Sequence, residues 1–131
     1  MPQDSEQVVK VILINKENQT LLLFRGLEHQ DPFTLDLPGG HLQQGEDILD
    51  AAVREVGEET NLTLEQSDLK YITKIKRTTY YQTSNWEGTI FNPEDLTEHE
   101  SYVWTPLNHI QHLKGIIVPE RHYGALSLLT V

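Results

Sequence analysis

The sequence contains no cysteine. That absence excludes a disulfide scaffold, a thiolate zinc site and a cysteine nucleophile. Basic residues are also scarce, because 10 Lys and Arg stand against 20 Asp and Glu, which gives a formal net charge of −10. Nucleic-acid polymers and anionic membranes bind basic surfaces, so neither is an expected partner of this chain.

Long apolar stretches are absent as well. No run approaches the roughly 18 residues of a transmembrane helix, and residues 1–7 are too polar for a secretory signal peptide. We therefore expect a cytoplasmic protein without a membrane segment. The chain has 131 residues, of which 37% are hydrophobic, and no linker or internal repeat divides it. A single domain over residues 1–131 is the expectation.

Several stretches rich in β-branched and apolar residues predict strands. The two nearest the N-terminus flank a polar turn and predict a hairpin. The predicted strands are residues 8–14, 20–24, 69–81 (as one long strand), 86–91 and 102–105.

One helix is strongly indicated, over residues 48–60, because its apolar positions recur at helical spacing. Asp47 is a good N-cap for it, and Asn61 suits the left-handed position after its end. A short helix over 106–113 and a C-terminal helix over 119–129 are weaker expectations. Strands outnumber helices, which favours an α+β sandwich over a doubly wound sheet.

The predicted helix carries an electrostatic conflict. Glu55, Glu58 and Glu59 are spaced i, i+3 and i+4, so their side chains are neighbours on the helix surface and repel one another. They also lie in the last turns, where the helix dipole disfavours anions. Gly57 costs about 1 kcal/mol relative to alanine in a helix interior. Conflicts of this kind are expected at functional sites.

A hard divalent cation would remove the repulsion, because Mg²⁺ and Mn²⁺ prefer carboxylate and carbonyl oxygens. Taken alone, however, three acidic residues on a helix are more typical of a solvated helix face. The residues on either side of the helix distinguish these two interpretations.

Residues 40–62 follow a fixed pattern, which closely resembles the Nudix box, Gly-x5-Glu-x7-Arg-Glu-U-x-Glu-Glu-x-Gly-U, where U is aliphatic. The matching positions are Gly40, Glu46, Arg54, Glu55, Val56, Glu58, Glu59 and Leu62. The last glycine of the pattern is Asn61 here, a mild change because asparagine also adopts the left-handed conformation. The preceding Leu-Pro-Gly-Gly, residues 37–40, is similar to the family too.

The resemblance implies a Nudix fold, with a mixed β-sheet between helices, and Mg²⁺- or Mn²⁺-dependent hydrolysis of a nucleoside diphosphate linked to another group. It implies that Glu55, Glu58 and Glu59 bind the metal together with a main-chain carbonyl of Gly39 or Gly40. It also implies that Arg54 and Glu46 pair, holding the helix and orienting a carboxylate. This agrees with the chemistry, because metal ions neutralise the charge that develops when water attacks phosphorus.

Five residues outside the box are further candidates. In the family a later loop glutamate often completes the metal site or acts as general base. Glu98 is the first choice for that role and Glu100 the second, with Glu55 as the alternative base. Arg25 is a candidate phosphate clamp, because arginine binds phosphate with two hydrogen bonds. Tyr80 and Trp86 are candidates to stack on the substrate base.

Three functions stay open within this resemblance. The first is a (d)NTP pyrophosphohydrolase of MutT-like type, and the second is a hydrolase of dinucleoside polyphosphates or nucleotide sugars. The third is a non-catalytic Nudix-fold domain that binds nucleotide or protein, although all the box glutamates are kept. The expected partner is a small nucleotide, and a homodimer is an open alternative to a monomer.

Overall fold

Seven β-strands and two α-helices form the regular structure of the computed structural model, which describes residues 6–25, 35–90, 99–113 and 122–129. In chain order they are β1 (Val8–Leu13), β2 (Gln19–Arg25), β3 (Leu35–Asp36), β4 (Gly39–His41), α1 (Ile48–Thr60), β5 (Lys70–Ile75), β6 (Thr78–Thr83), β7 (His99–Pro106) and α2 (His122–Leu126). Two 3₁₀ helices, Gln66–Asp68 and Leu107–Leu113, complete the described elements.

The strands form two sheets. A four-stranded mixed sheet has the order β4-β1-β6-β5, in which only β1 and β6 are parallel. A three-stranded antiparallel sheet has the order β3-β2-β7. The predicted α+β class, with a mixed sheet between helices, is confirmed. None of the described helices is long and apolar enough to cross a membrane.

Strand β1 is buried on both faces, which explains its nearly continuous apolar sequence. Its odd-numbered residues join β2 and α1 in one apolar cluster that contains Val9, Val11, Leu13, Leu21, Leu23, Ala51, Ala52 and Val56. Its even-numbered residues face the other way, into a second cluster that contains Ile12, Ile14, Leu22, Leu37, Tyr80 and Ala125. One helix therefore covers each face, with α1 on the first and α2 on the second.

The predicted hairpin of the first two strands is wrong. Both strands exist and pack together in the apolar clusters, but no ladder pairs them, and an isolated bridge joins Ile14 to Thr20 beside the turn. The reason is that both hydrogen-bonding edges of β1 are already occupied, one by β4 and one by β6. Strand β2 therefore enters the other sheet, where it pairs with β3 and β7.

The predicted long strand over 69–81 is also wrong, because the chain reverses within it. Strands β5 and β6 form an antiparallel hairpin, and the turn between them is Lys76-Arg77, with Lys76 at φ 56°. A left-handed lysine is uncommon, and the turn contains no glycine, proline or asparagine that would have marked it.

The remaining predicted elements are partly confirmed. The strand over 102–105 lies inside the longer β7, and the short helix over 106–113 is the 3₁₀ helix Leu107–Leu113. The strand over 86–91 is not formed in its described part, where only Glu87 makes an isolated bridge, to Thr63. The C-terminal helix is shorter than predicted, since α2 ends at Leu126, and its expected start at Pro119 lies outside the described residues.

Candidate active site

Helix α1 begins and ends where the sequence predicts. The Asp47 carboxylate accepts a hydrogen bond from the backbone N–H of Leu49 at 3.2 Å, as an N-cap does. Asn61 is left-handed, with φ 69°, and its N–H donates to the Gly57 carbonyl. Its side-chain amide also donates to the Thr89 carbonyl at 3.2 Å. The buried face of α1 packs on β1 and leaves its acidic residues beside β4.

Arg54 is the centre of an ion-pair network on this helix. Its guanidinium binds both oxygens of Glu46, with Nε at 2.8 Å from Oε2 and a terminal nitrogen at 3.0 Å from Oε1. The other terminal nitrogen lies 3.2 Å from carboxylate oxygens of both Glu55 and Glu58. A further hydrogen bond at 3.2 Å reaches the carbonyl of His41, at the end of β4. One arginine therefore joins three carboxylates to the strand beside them.

The network shifts the ionisation of its members. Hydrogen bonds from Arg54, and then from the Gln43 N–H, hold the pKa of Glu46 below its usual value of 4.5. The hydrogen bond to Glu46 and the nearby charges of Glu55 and Glu58 raise the pKa of Arg54 well above its usual range. Glu46 and Arg54 are therefore both charged at neutral pH.

Two carboxylates of α1 lie directly against the backbone of β4. The N–H of Gly39 donates to Glu59 Oε1 at 2.9 Å. At Gly40, a Cβ atom would lie 2.5 Å from the carboxylate carbon of Glu55, so only glycine leaves room for that side chain. The sequence predicts that a carbonyl of this glycine pair binds the metal; the structure adds a steric reason for glycine at position 40, which is the space that Glu55 occupies.

The donor set suits a hard divalent cation, because it consists of carboxylate and backbone carbonyl oxygens. Among the described residues, no three acidic or histidine side chains converge closely enough to hold an ion. Arg54 contacts Glu55 and Glu58, while Glu59 faces the Gly39 N–H. The Glu58 side chain is 60% exposed, so it can turn from Arg54 towards an ion at small cost. The chemistry of these side chains therefore suits such a cation, and Glu55 and Glu59 already lie beside Gly39 and Gly40, but the described carboxylates would have to move to hold one.

Three predicted site residues cannot be placed in the same way. Glu98 lies outside the described residues. Glu100 lies in β7, and Arg25 is the last residue of β2, where its backbone pairs with His99. The side chains of Glu100 and Arg25 are not among those that the structure describes.

The structure does not support the predicted role of Tyr80. Its ring is completely buried on the α2 side of the sheet, and its hydroxyl lies 2.8 Å from His122 Nδ1. No face of the ring is exposed for a base to stack on.

Trp86 is half-buried and stacks on Trp104, with ring centroids 5.8 Å apart. It lines a cavity of about 380 Å³ together with residues 15–17, 84 and 85. The acidic residues of α1 are not among those that line this cavity, and Trp86 packs against the apolar cluster on the α1 side.

The structure also contains a set of buried polar side chains that the sequence patterns did not identify. Lys10 and Asp36 are 7% and 2% exposed, and they form an ion pair at 3.1 Å. Asp36 Oδ1 also forms a hydrogen bond with Nε2 of His122, at 2.7 Å, and His122 is fully buried. The available signal was a charged residue inside each apolar stretch, Lys10 within residues 8–14 and Asp36 between two leucines.

Comparison with known proteins agrees with this geometry. A family model described as the NUDIX domain matches residues 5–124. Two similar solved structures are a MutT NUDIX hydrolase from Burkholderia pseudomallei and a MutT protein from Methanosarcina mazei Go1, both with a TM-score of 0.72. They are 18% and 22% identical to this chain, respectively. The first match covers 94% of this chain and 96% of its own, and the second covers 92% and 88%. At such identities they show the fold alone.

Similarity in sequence extends to curated proteins. One of them is a bis(5'-nucleosyl)-tetraphosphatase (asymmetrical) from Caenorhabditis elegans, 34% identical over 80 residues. The match covers 53% of this chain and 56% of the relative, so this chain spans little more than half of that protein's length.

Proposed function

Because this chain belongs to the NUDIX domain family, we propose that it hydrolyses a pyrophosphate bond of a nucleoside polyphosphate with Mg²⁺ or Mn²⁺. Nudix hydrolases generally use divalent cations of this kind. One observation carries the proposal: Glu55 and Glu59 both lie against the Gly39–Gly40 backbone. We also propose that residues 1–131 are a single Nudix domain with its box at 40–62.

The metal site would consist of Glu55, Glu58, Glu59 and a carbonyl of Gly39 or Gly40. A bound divalent cation supplies charge neutralisation and a water of lowered pKa. The protein supplies the positions of the oxygen ligands. Glu46 fixes Arg54 with two hydrogen bonds, and Arg54 in turn orients the carboxylates of Glu55 and Glu58.

The general base in this proposal is Glu98, with Glu100 and Glu55 as the alternatives, and Arg25 is the proposed phosphate clamp. Each base candidate has to reach the attacking water within hydrogen-bond distance. Of the three base candidates, only Glu55 has a described side chain. It is 15% exposed and paired with Arg54, so one of its oxygens is already engaged by the guanidinium.

The substrate class has two candidates. The name of the nematode relative, at 34% identity, favours a dinucleoside tetraphosphate. A (d)NTP is the other candidate, as the first expectation from the sequence, but structures below 25% identity do not choose between them. The net charge of −10 supports a small nucleotide rather than a nucleic-acid polymer as the substrate.

Glu59→Gln tests the proposal. Glutamine keeps an oxygen that can accept from the Gly39 N–H, so the fold should be retained, but it removes a negative charge from the metal site. We expect kcat to fall at least about 100-fold, measured as product release from dinucleoside tetraphosphates, (d)NTPs and nucleotide sugars with Mg²⁺ or Mn²⁺. Unchanged activity of a folded Glu59→Gln protein would contradict the proposal and would favour the interpretation of α1 as a solvated acidic helix.

Glu65→Gln is the matched control, because it makes the same charge change on an exposed loop residue. It should leave kcat unchanged. The same assay in ¹⁸O-labelled water should place the label on a phosphate product, since the proposed reaction is attack of water at phosphorus. Label on a sugar carbon would contradict that reaction.

A further inference from the structure

A chain of four buried polar side chains crosses the α2 side of the fold. Tyr80 and His122 are fully buried, and the tyrosine hydroxyl lies 2.8 Å from His122 Nδ1. His122 Nε2 lies 2.7 Å from Asp36 Oδ1. The other oxygen of Asp36 accepts a hydrogen bond from Lys10 Nζ at 3.1 Å. The chain therefore connects α2, β6, β3 and β1.

The hydrogen atoms in this chain follow from the chemistry of its members. An ionised Asp36 can only accept, so His122 Nε2 must donate to it. In a neutral imidazole, Nδ1 is then an acceptor, and the Tyr80 hydroxyl donates to it. Lys10 balances the charge of Asp36, and each of the four side chains has a hydrogen-bond partner within the network.

The chain ends on the backbone that leads into the proposed metal site. Lys10 Nζ donates to the Leu37 carbonyl at 3.1 Å, and the Leu37 N–H donates to Asp36 Oδ1 at 2.8 Å. The aliphatic part of Lys10 also borders Gly39, where a Cβ atom would lie 3.0 Å from the Lys10 Cδ. Lys10 therefore contacts the segment on both sides of Pro38.

The next contact along that segment is the site itself. Gly39 donates its N–H to Glu59, and Gly40 lies against Glu55. An unbroken series of hydrogen bonds and backbone thus runs from α2 to the carboxylates of α1, through the centre of the molecule.

We propose that Lys10, Asp36, His122 and Tyr80 are positioning residues, which fix the Gly39–Gly40 backbone against Glu55 and Glu59 and link it to the docking of α2. The inference rests on the proposed function, in which a carbonyl of Gly39 or Gly40 is a metal ligand. Groups that hydrogen-bond to the ligands of a metal ion control its affinity in the same manner, because they hold the ligands in place.

His122→Gln and Tyr80→Phe test this inference. The first keeps an amide near the position of Nε2 but removes Nδ1 and the rigid ring, so it breaks the connection between Tyr80 and Asp36. The second removes only the hydroxyl. Ile12→Val is the matched control, because it trims a fully buried side chain in the same strand and on the same face as Lys10, within the apolar cluster. All three proteins are compared well below their melting temperatures, so that each is folded.

The first measurement is the Mg²⁺ dependence of hydrolysis. We expect His122→Gln to raise the Mg²⁺ activation constant about tenfold, with a smaller rise in Tyr80→Phe. The KM for nucleotide at saturating Mg²⁺ should stay within about twofold, since the proposed role of the network is to position metal ligands and not to bind nucleotide. Ile12→Val should leave both constants unchanged. An unchanged activation constant in folded His122→Gln overturns the inference, even if its melting temperature falls.

The second measurement does not depend on activity. The amide resonances of Gly39 and Gly40 should move in metal-free His122→Gln and stay in place in Ile12→Val. Unmoved amides in His122→Gln overturn the inference. If the wild-type protein hydrolyses no nucleotide, the proposed function fails. The inference is then decided by titrating Mg²⁺ against the same amides, where equal affinity in wild type and His122→Gln would overturn it.

Discussion

Gly39 and Gly40 are adjacent, but a side chain would meet different obstacles at the two positions. At Gly39, which has φ +143°, a Cβ atom would lie 2.0 Å from the Val9 carbonyl oxygen. That oxygen belongs to the paired backbone of β1 and cannot move away. At Gly40 the obstacle is the carboxylate of Glu55, the end of a flexible side chain. The first glycine is therefore needed for the fold, and the second for the position of one carboxylate.

Gly40→Ala should separate activity from stability. We expect a melting temperature close to that of the wild type, because Glu55 can move aside, but a large loss of metal-dependent hydrolysis. Gly39→Ala should instead lower the free energy of unfolding strongly, because the backbone itself clashes. Thermal melts and activity assays of the two variants check this contrast. A Gly40→Ala protein with full activity would show that the position of Glu55 is not important.

The Glu46–Arg54 pair should make stability depend on acid pH. The pKa of Glu46 is lower in the folded protein than its usual value of 4.5, so the unfolded chain binds a proton first as the pH falls. The pair therefore stabilises the protein above that value, and its contribution is lost as the pH falls through the lower, folded pKa.

Urea unfolding of wild type and Glu46→Gln from about pH 6 to about pH 3 measures this effect. At the higher pH the wild type should have the larger free energy of unfolding. Its advantage over Glu46→Gln should decrease as the pH falls. Glu65→Gln is again the control, and should show no such decrease. A stability difference for Glu46→Gln that stayed constant over this range would contradict the assignment.

At the scale of elements, α1 contains a glycine that neither packing nor backbone geometry requires. A Cβ atom at Gly57 would have the Leu62 carbonyl oxygen at 3.7 Å, an ordinary contact distance. Its φ is not in the left-handed range that favours glycine, unlike those of Gly39, Gly45 and Gly88. The glycine therefore weakens the helix without a steric reason among the described contacts.

Gly57→Ala should raise the free energy of unfolding by about 1 kcal/mol, because alanine is the better helix former. Gly45→Ala is a matched control, since its Cβ would likewise meet no close contact, but its φ is +79°. That variant should lose about 1 kcal/mol through left-handed strain. Chemical denaturation of both proteins measures the difference. A loss of stability in Gly57→Ala would reveal a constraint that the structure does not contain.

Local sequence patterns predicted the helix α1 but not the pairing of the strands. The limits and caps of α1 were predicted correctly, because they depend on residues within a few positions of one another. The pairing of β1 was not, since its neighbours β4 and β6 are distant in sequence and a strand does not encode its partners. The Lys76-Arg77 turn was not predicted for another reason. Neither residue is typical of turns, and the pairing of β5 with β6 imposes the left-handed conformation on Lys76.

The same division applies to the candidate site. The box residues could be found because their spacing is fixed along one helix and its preceding loop. The contacts of Glu59 with Gly39 and of Glu55 with Gly40 needed coordinates, since they join α1 to β4. Tyr80 is not available for stacking because its side chain faces the buried α2 side of the sheet. Its polar and aromatic neighbours in the sequence did not show which side of the strand is buried.

At the scale of the whole molecule, the two apolar clusters share one strand. Strand β1 supplies residues to both, and α1 and α2 cover opposite faces. The acidic residues lie on the α1 side and the buried polar chain on the α2 side, so the sheet separates them. The Leu37–Gly40 segment is where the two sides meet, because Leu37 belongs to the α2-side cluster while Gly40 contacts Glu55 on α1.

The parallel pairing of β1 with β6 has a consequence for the order of events during synthesis. Val8 pairs with Thr78, so β1 leaves the ribosome well before β6 and must wait for it before its second edge is satisfied. Until then an apolar strand with an open edge is exposed to neighbouring chains. Pairings between distant segments also slow folding, because the loop must close before its contacts form. The nascent chain is therefore most vulnerable to aggregation before β6 emerges.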